Sequence, residues 1–398
     1  MMTETSSIVD IKDSEQAVDV TWSDGHQSRY LHMWLRDNCT CEACGTSLSG
    51  QRRLALRDFS LSIKASNVQF DSASNLNITW PDGHESQFDP AWLRDWCNCD
   101  TCRSQQRAQL TPWNSSLDPA ALEVDYAATQ FDDDAMFNLM TTLTTYGLVR
   151  VKNVPAADTE ALGRRLGYLR DTNYGLIMDI RAESSSWFRA LSAEAIPPHT
   201  DNVYRYDPTG ICLFHCVEQI PGGGGASNFV DSMALANRLK ALDEDAFDCL
   251  CTVPLTFYRH IPADADMKVE ATHLKTVSTV FRTDTNGQVI GFRYHPRTIA
   301  PMTMDHYTVV RMYKARRLLE EVSDDPELRI QFVADAGECL IFDNHRVLHA
   351  RTSFEGASGI RHFRQCHVER EEFHSRFRLL GEQLNRPVPE QQLTRGLH

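Results

Sequence analysis

Along several short stretches of the chain, apolar and polar residues alternate with the period of two that marks strands with one buried face. Val18-Asp19-Val20-Thr21-Trp22 and Asn77-Ile78-Thr79-Trp80 both alternate in this way, and each leads into an Asp-Gly turn and a second strand. The two stretches are copies. TWSDGHQSRYLHMWLRDNCTCEAC, from Thr21 to Cys44, recurs as TWPDGHESQFDPAWLRDWCNCDTC, from Thr79 to Cys102, at one constant offset. A small β-rich unit built twice is therefore expected at the N-terminus. Farther on, the pattern predicts strands at 147–151, 210–217, 227–230, 252–258, 289–294, 330–333, 338–342 and 362–368. Helical spacing marks 133–145, 232–241, 305–322 and 371–381. Many short strands with few helices predict a mainly β fold, a sandwich or jelly roll decorated by helices. The polar run 103–125 reads as a linker, which divides the chain into 1–110 and 111–398.

Composition narrows what such a chain does. Its 398 residues carry 40 Lys and Arg against 54 Asp and Glu, a net charge of −14. Nucleic acids and anionic membranes require a cationic face, so neither is an expected partner. No apolar run approaches the ~18 residues of a membrane span, and the first residues lack the basic and apolar segments of a secretory signal. A soluble, cytoplasmic protein is the expectation.

The cysteines are unevenly placed. Six of the 12 fall into two CxCxxC motifs, Cys39, Cys41, Cys44 and Cys97, Cys99, Cys102, one in each copy of the repeat. Such clusters in a long chain without an export signal read as metal ligands before disulfides. Each copy also carries one His directly after its turn, His26 and His84. Three thiolates and one imidazole fill a tetrahedral structural zinc site and leave no position for substrate. An iron–sulfur role is the competing reading, and colour separates the two. By symmetry, His26 can complete a shell with Cys97, Cys99 and Cys102; whether that second set binds zinc stays open. The remaining Cys212, Cys216, Cys249, Cys251, Cys339 and Cys366 sit among apolar residues and read as small buried hydrophobes.

A different metal chemistry is suggested downstream. His199 and Asp201, two apart on an extended segment, can face one side. A distant His349 would complete a 2-His-1-carboxylate triad, which leaves three iron positions open. A His-x-acid triplet is weak alone, and His367-x-Glu369 is another. The first triplet has company in Arg361, whose spacing from His349 can place its guanidinium on the adjacent antiparallel strand. Arg grips carboxylates by paired hydrogen bonds. The run 222–225 of four glycines has no following Lys-Ser or Lys-Thr and reads as a turn rather than a phosphate cradle.

With these residues in view, the chain resembles the gamma-butyrobetaine dioxygenase and trimethyllysine dioxygenase family, within the taurine dioxygenase superfamily. The resemblance runs from WLRDNCTCEAC and ITWPDGH through PHTDNVYR, LFHC, GGGGASNFVD and IFDNHRVLHAR to RLLG. It implies a zinc-binding domain followed by a double-stranded β-helix that binds Fe(II) and 2-oxoglutarate. It also implies His199, Asp201 and His349 as the catalytic iron ligands, and Arg361, assisted by Ser227, as the grip on the distal carboxylate of 2-oxoglutarate. Cys39, Cys41, Cys44 and His84 match the family's single zinc site. The implied reaction hydroxylates a C–H bond of a small substrate with O2 and releases succinate and CO2; ascorbate is the implied reductant and a homodimer the implied assembly.

The substrate signal is weaker. The family holds trimethylammonium groups in an aromatic cage by cation–π attraction. Tyr174 matches one cage position, but Met178 stands where the family has Trp, Leu191 where it has Tyr, and His367 where it has another Tyr. Trp187, Tyr204 and Tyr206 could rebuild a cage, and Asn202, Tyr204, Arg205 and Arg297 are candidate polar contacts. Gamma-butyrobetaine or a related quaternary amine is the expected substrate, with an amino acid, aminophosphonate or sulfonate as the alternative. A non-catalytic zinc-binding interaction protein is the remote reading, and it gives no reason for the full iron and cosubstrate constellation.

Overall fold

The computed structural model describes residues 7–45, 51–105, 111–181, 194–220, 225–263, 270–284, 287–354 and 361–393. The chain divides into two compact units, Met1–Ala108 and Gln109–His398.

In the first unit, β1 (Ile8–Asp13), β2 (Ala17–Trp22) and β3 (Gln27–Leu31) form one antiparallel sheet, and β4 (Asn67–Phe70), β5 (Leu76–Thr79) and β6 (Glu85–Phe88) form another. The repeat is thus a three-stranded sheet made twice. Its hairpin turns place Gly25 and Gly83 at φ 81° and 78°, where a side chain would be strained. Trp22 and Trp80 occupy equivalent buried positions, and both copies contribute to one core with Tyr30, Leu35, Leu76, Ile78, Phe88 and Leu93. Neither copy buries its apolar face alone.

The second unit contains β7 (Glu123–Asp125), β8 (Leu148–Lys152), β9 (Met178–Arg181), β10 (Ile196–His199), β11 (Ile211–Glu218), β12 (Ser227–Asp231), β13 (Leu255–Ile261), β14 (Thr272–Ser278), β15 (Phe281–Thr283), β16 (Val289–Phe292), β17 (Arg329–Phe332), β18 (Cys339–Asp343), β19 (Val347–Arg351) and β20 (His362–Val368). Six of these form a sheet in the order β7-β8-β18-β11-β20-β9, and four form a second sheet in the order β10-β19-β12-β17. The sheets face each other through Phe229 of β12 and Phe342 of β18, whose ring centroids lie 5.4 Å apart, in a core shared with Phe332, Leu340 and Phe363. The outer face of the larger sheet buries Val149, Leu213, Ile341 and Cys366 beneath the helices Asp133–Tyr146 and Arg370–Leu384. Covering on both faces explains why β18 reads as an unbroken apolar run instead of alternating. The result is a jelly-roll-like sandwich, in line with the sequence pattern. The scattered cysteines are buried within it, apart from the half-buried Cys251.

Two expectations change. The strand expected from residue 252 begins at Leu255 because Glu244–Thr252 is a helix. Asp243 caps it by accepting the Ala246 N–H at 3.0 Å, and Ala246, Cys249 and Leu250 turn one apolar face into the core. The linker expected over 103–125 is also too long. Trp113 is buried, donating its indole N–H to the Tyr146 carbonyl, and β7 adds a parallel strand to the sheet.

Trp113 is tied to a buried ion pair. Its backbone N–H donates to Asp231 Oδ2 at 3.0 Å. Arg346, 1% exposed, donates Nε and Nη2 to the two oxygens of the fully buried Asp231 at 3.0 and 3.1 Å. Asp231 also caps the helix Ser232–Leu242 through the Met233 N–H. Removing one partner of such a pair leaves a buried charge uncompensated. Asp231→Asn is therefore expected to destabilise this unit by about 3–5 kcal/mol, measured as a lower urea midpoint at unchanged slope.

Candidate active site

The site begins with strand register. β10 and β19 pair antiparallel with His199 directly opposite His349, which brings the two rings to 4.2 Å between centroids. The extended backbone expected through Asp201 is not found: β10 ends at His199, and the chain turns at once, with Asn202 at a left-handed φ of 54°. Asn344, in the turn between β18 and β19, fastens this bend. Its Oδ1 accepts the Asp201 N–H at 2.7 Å, and its Nδ2 donates to the carbonyls of Asp201 and Thr209 at 3.0 and 2.9 Å. The Asp201 carboxylate then reaches both imidazoles, with Oδ1 3.6 Å from His199 Nε2 and Oδ2 3.8 Å from His349 Nε2.

Protonation within the cluster suits a cation. His199 donates its Nδ1 proton to the Pro197 carbonyl at 2.9 Å, which orients the ring so that Nε2 faces the Asp201 carboxylate. Burial, with His199 beside it, pushes His349 down to about 3. The Asp201 carboxyl, which burial alone would raise, is held below the usual carboxylate range by the His349 and His199 imidazoles. Gln365 Nε2 donates to its Oδ2 at 2.6 Å. An ionised carboxylate beside a neutral imidazole is the state in which such a set takes up a divalent ion.

Two cavities meet at the cluster. The smaller, about 80 Å³, is lined by Ser227, Phe229, Phe342, Ala350 and Arg351 among others. The larger, about 340 Å³, is lined by Tyr174, Met178, Asn202, Tyr204, Arg297 and His367, all singled out from sequence. Leu191 and Trp187 lie outside the described residues. Tyr206 is 89% exposed and does not line this cavity, and Arg205 donates instead to Asn173.

Arg361 is placed differently from expectation. It precedes β20, which belongs to the six-stranded sheet, whereas His349 lies on β19 of the facing sheet. The two are thus not on adjacent strands, and Arg361 reaches across to donate to the Gly225 carbonyl at 3.2 Å. It is 1% exposed, its Nε has no hydrogen-bond partner among the described residues, and it shares the Phe354 ring with Arg351. Burial pushes each of these guanidinium groups down to about 10, Arg351 adding to the effect on Arg361. Both remain cationic at neutral pH.

Sequence reasoning missed Arg351, Gln365, Arg259 and His295, which line one cavity or the other. Arg351 was within reach, since it lies two residues after His349 on one strand face. Gln365 shares the inward parity of Phe363 and His367 on β20 in the same way. Arg259 and His295 come from the hairpin β13–β14 and the segment after β16, and no local pattern links them to the cluster.

In the first unit, Cys39, Cys41 and Cys44 converge on His84, with Sγ atoms 3.3, 3.5 and 3.5 Å from Nε2. Tetrahedral zinc with bonds of ~2.3 Å to sulfur and ~2.0 Å to nitrogen separates such donors by about 3.6 Å. The set fits zinc.

The taurine catabolism dioxygenase TauD, TfdA family model matches residues 106–367, and the gamma-butyrobetaine hydroxylase-like N-terminal model matches twice, over 9–88 and 68–138. The gamma-butyrobetaine dioxygenase of Pseudomonas sp. (strain AK-1) is 31% identical over 91% of this chain and 93% of its own length. The chain belongs to the gamma-butyrobetaine and trimethyllysine dioxygenase family. The mitochondrial trimethyllysine dioxygenase of Rattus norvegicus is 29% identical over 89% of this chain and 83% of its own. This is a family of Fe(II)- and 2-oxoglutarate-dependent dioxygenases, and the residues described above suit both groups. Two imidazoles and a carboxylate are the donor set of a non-haem iron site with open positions. A buried cationic Arg361 with an unsatisfied Nε suits a carboxylate. Among the described residues, no helix is long and apolar enough to cross a membrane.

The Asn344 clamp is open to test. Asn344→Ala strips three backbone groups of their partner, and a loss of about 1–3 kcal/mol is expected for leaving such groups unsatisfied, read from chemical denaturation.

Proposed function

We propose that this dioxygenase hydroxylates a C–H bond of a small zwitterion of the gamma-butyrobetaine type, with His199, Asp201 and His349 holding Fe(II). The observation that carries the reading is the junction of the two cavities at this triad. One is lined by a cation for a cosubstrate acid, and the other is sized for a small molecule. Bound iron and 2-oxoglutarate supply O2 activation, with conversion of the cosubstrate to succinate and CO2.

The chain's own residues do the rest. Arg361 and Arg351, with Ser227 at the start of β12, anchor the distal carboxylate of 2-oxoglutarate. Gln365 donates to Asp201 Oδ2 and so fixes the orientation of the carboxylate that would help hold the iron. In the larger cavity, the faces of Tyr174 and Tyr204 and the thioether of Met178 receive the cationic end of the substrate. Arg259, Arg297 and Asn202 receive its acidic end. No side chain is assigned as a general base. Two arginines among the lining residues also favour a second reading, in which the acidic group is a phosphonate or sulfonate. Cys39, Cys41, Cys44 and His84 hold a structural zinc.

Succinate release across a panel of betaines, trimethyllysine, amino acids, aminophosphonates and sulfonates tests the substrate class. A betaine should give coupled turnover; turnover confined to a phosphonate or sulfonate selects the second reading, and no succinate with any compound sinks both. His349→Ala should abolish turnover. Arg361→Met should raise the KM for 2-oxoglutarate at least about thirtyfold, the equivalent of losing ~2 kcal/mol from a buried charge pair, with zinc content unchanged.

A further inference from the structure

We propose that Cys97, Cys99, Cys102 and His26 hold a second zinc ion, so that the two copies of the N-terminal repeat are cross-linked by metal in both directions. The inference rests on the same donor chemistry as the site at Cys39, Cys41, Cys44 and His84, but on a separate set of residues.

The geometry of the second set matches the first. His26 Nε2 lies 3.4, 3.7 and 3.6 Å from the Sγ atoms of Cys97, Cys99 and Cys102, against the separation of about 3.6 Å that tetrahedral zinc imposes. All four donor atoms lie within 4.8 Å of one another. The Cys102 backbone N–H donates to Cys99 Sγ at 3.3 Å, the kind of support that a bound thiolate receives.

The surroundings are duplicated as well, and this carries the argument furthest. Ser28 donates to Cys97 Sγ at 3.0 Å and is itself held by the Trp22 indole N–H at 2.8 Å. In the first site, Ser86 hydrogen-bonds Cys39 and is held by the Trp80 indole at 2.8 Å. Arg94 approaches Cys102 Sγ at 3.9 Å and pairs with Asp24 at 3.0 Å, and Asp24 accepts the His26 N–H at 2.9 Å. Arg36 approaches Cys44 Sγ at 3.2 Å and pairs with Asp82 at 3.6 Å, and Asp82 accepts the His84 N–H at 3.0 Å. The Trp, Asp, His and Ser of each copy therefore serve the cysteines of the other.

Packing alone does not ask for this arrangement. Three thiols collected around an imidazole make a poor apolar contact, and a core cysteine needs no hydroxyl donor or guanidinium beside it. Three thiolates and a neutral imidazole around Zn²⁺ leave one net negative charge, which Arg94 offsets as Arg36 does in the first site. The gain is structural. His26 and Cys97 are 71 residues apart in sequence, so a bond through metal closes a long loop in a unit with a small core.

Metal analysis of the full-length protein, purified without chelator, tests the proposal, with zinc and iron counted separately. Two zinc ions per chain are expected, falling to one in His26→Ala and to one in His84→Ala. Replacement by Co(II) should give thiolate charge-transfer and tetrahedral d–d absorption about twice as intense in the parent as in either variant. One zinc per chain, lost in His84→Ala and kept in His26→Ala, would overturn the second site and leave the first. No zinc at all, or a brown chain with iron in the cysteine clusters, would overturn both. Should His26→Ala fail to fold, alkylation of the parent decides: Cys97, Cys99 and Cys102 should resist iodoacetamide until zinc is stripped, and equal modification with and without zinc refutes their ligation.

Discussion

The catalytic unit depends on the register between β10 and β19. With His199 opposite His349, two imidazoles from segments far apart in sequence are set side by side on one face of the smaller sheet. A slip of one residue would turn His349 to the other face, because side chains alternate along a strand. The register is held from both sides. β19 also pairs with β12, where Phe229 lies opposite His349, and Phe229 packs against Phe342 in the core between the sheets. The apolar sandwich therefore fixes where the polar cluster forms. Asp201 is added by a different device, a turn fastened by Asn344, so the third donor is positioned by hydrogen bonds rather than by the ladder.

The two kinds of Cys, His and Asp cluster differ in the way their chemistry requires. At Cys39, Cys41, Cys44 and His84, four donors close around one point, which suits a metal that holds structure. At His199, Asp201 and His349, only three donors converge, and cavities open beside them. A three-donor set leaves positions for a cosubstrate and O2. On the proposed function, closed and open donor sets would separate scaffold from catalysis within one chain.

What could be read in the sequence follows how locally each feature is encoded. The repeat, its Asp-Gly turns and its CxCxxC motifs are contiguous, and their partners are copies of the same words, so the gathering of three Cys and one His in each set was legible in the sequence. His199, Asp201 and His349 were legible as residue types and through a family resemblance, but the turn after His199 was not, because Asn344 makes it from the far end of the chain. Arg361 was attributed to a neighbouring strand from its distance to His349. Strand order is a tertiary property, and the chain crosses to the facing sheet between β19 and β20. The helix Glu244–Thr252 was hidden because its apolar face is short, although Asp243 is a good cap.

The same burial that prepares the site works against the stability of the empty fold. Arg351, which lines the smaller cavity, and Arg361 share the ring of Phe354, and burial pushes their guanidinium groups down to about 10, so each stays charged at neutral pH at an energetic cost. No carboxylate of the described chain pairs with Arg361; its contacts are a backbone carbonyl and two aromatic rings. Bound as proposed, with one end at these cations and the other toward the His199, Asp201 and His349 cluster, a dicarboxylate would offset that cost. On that proposal cosubstrate binding and folding of the sandwich would be linked, since a ligand that binds only the native state stabilises it by mass action. On the proposed function, the charge imbalance at this corner of the sandwich is what would select an acid.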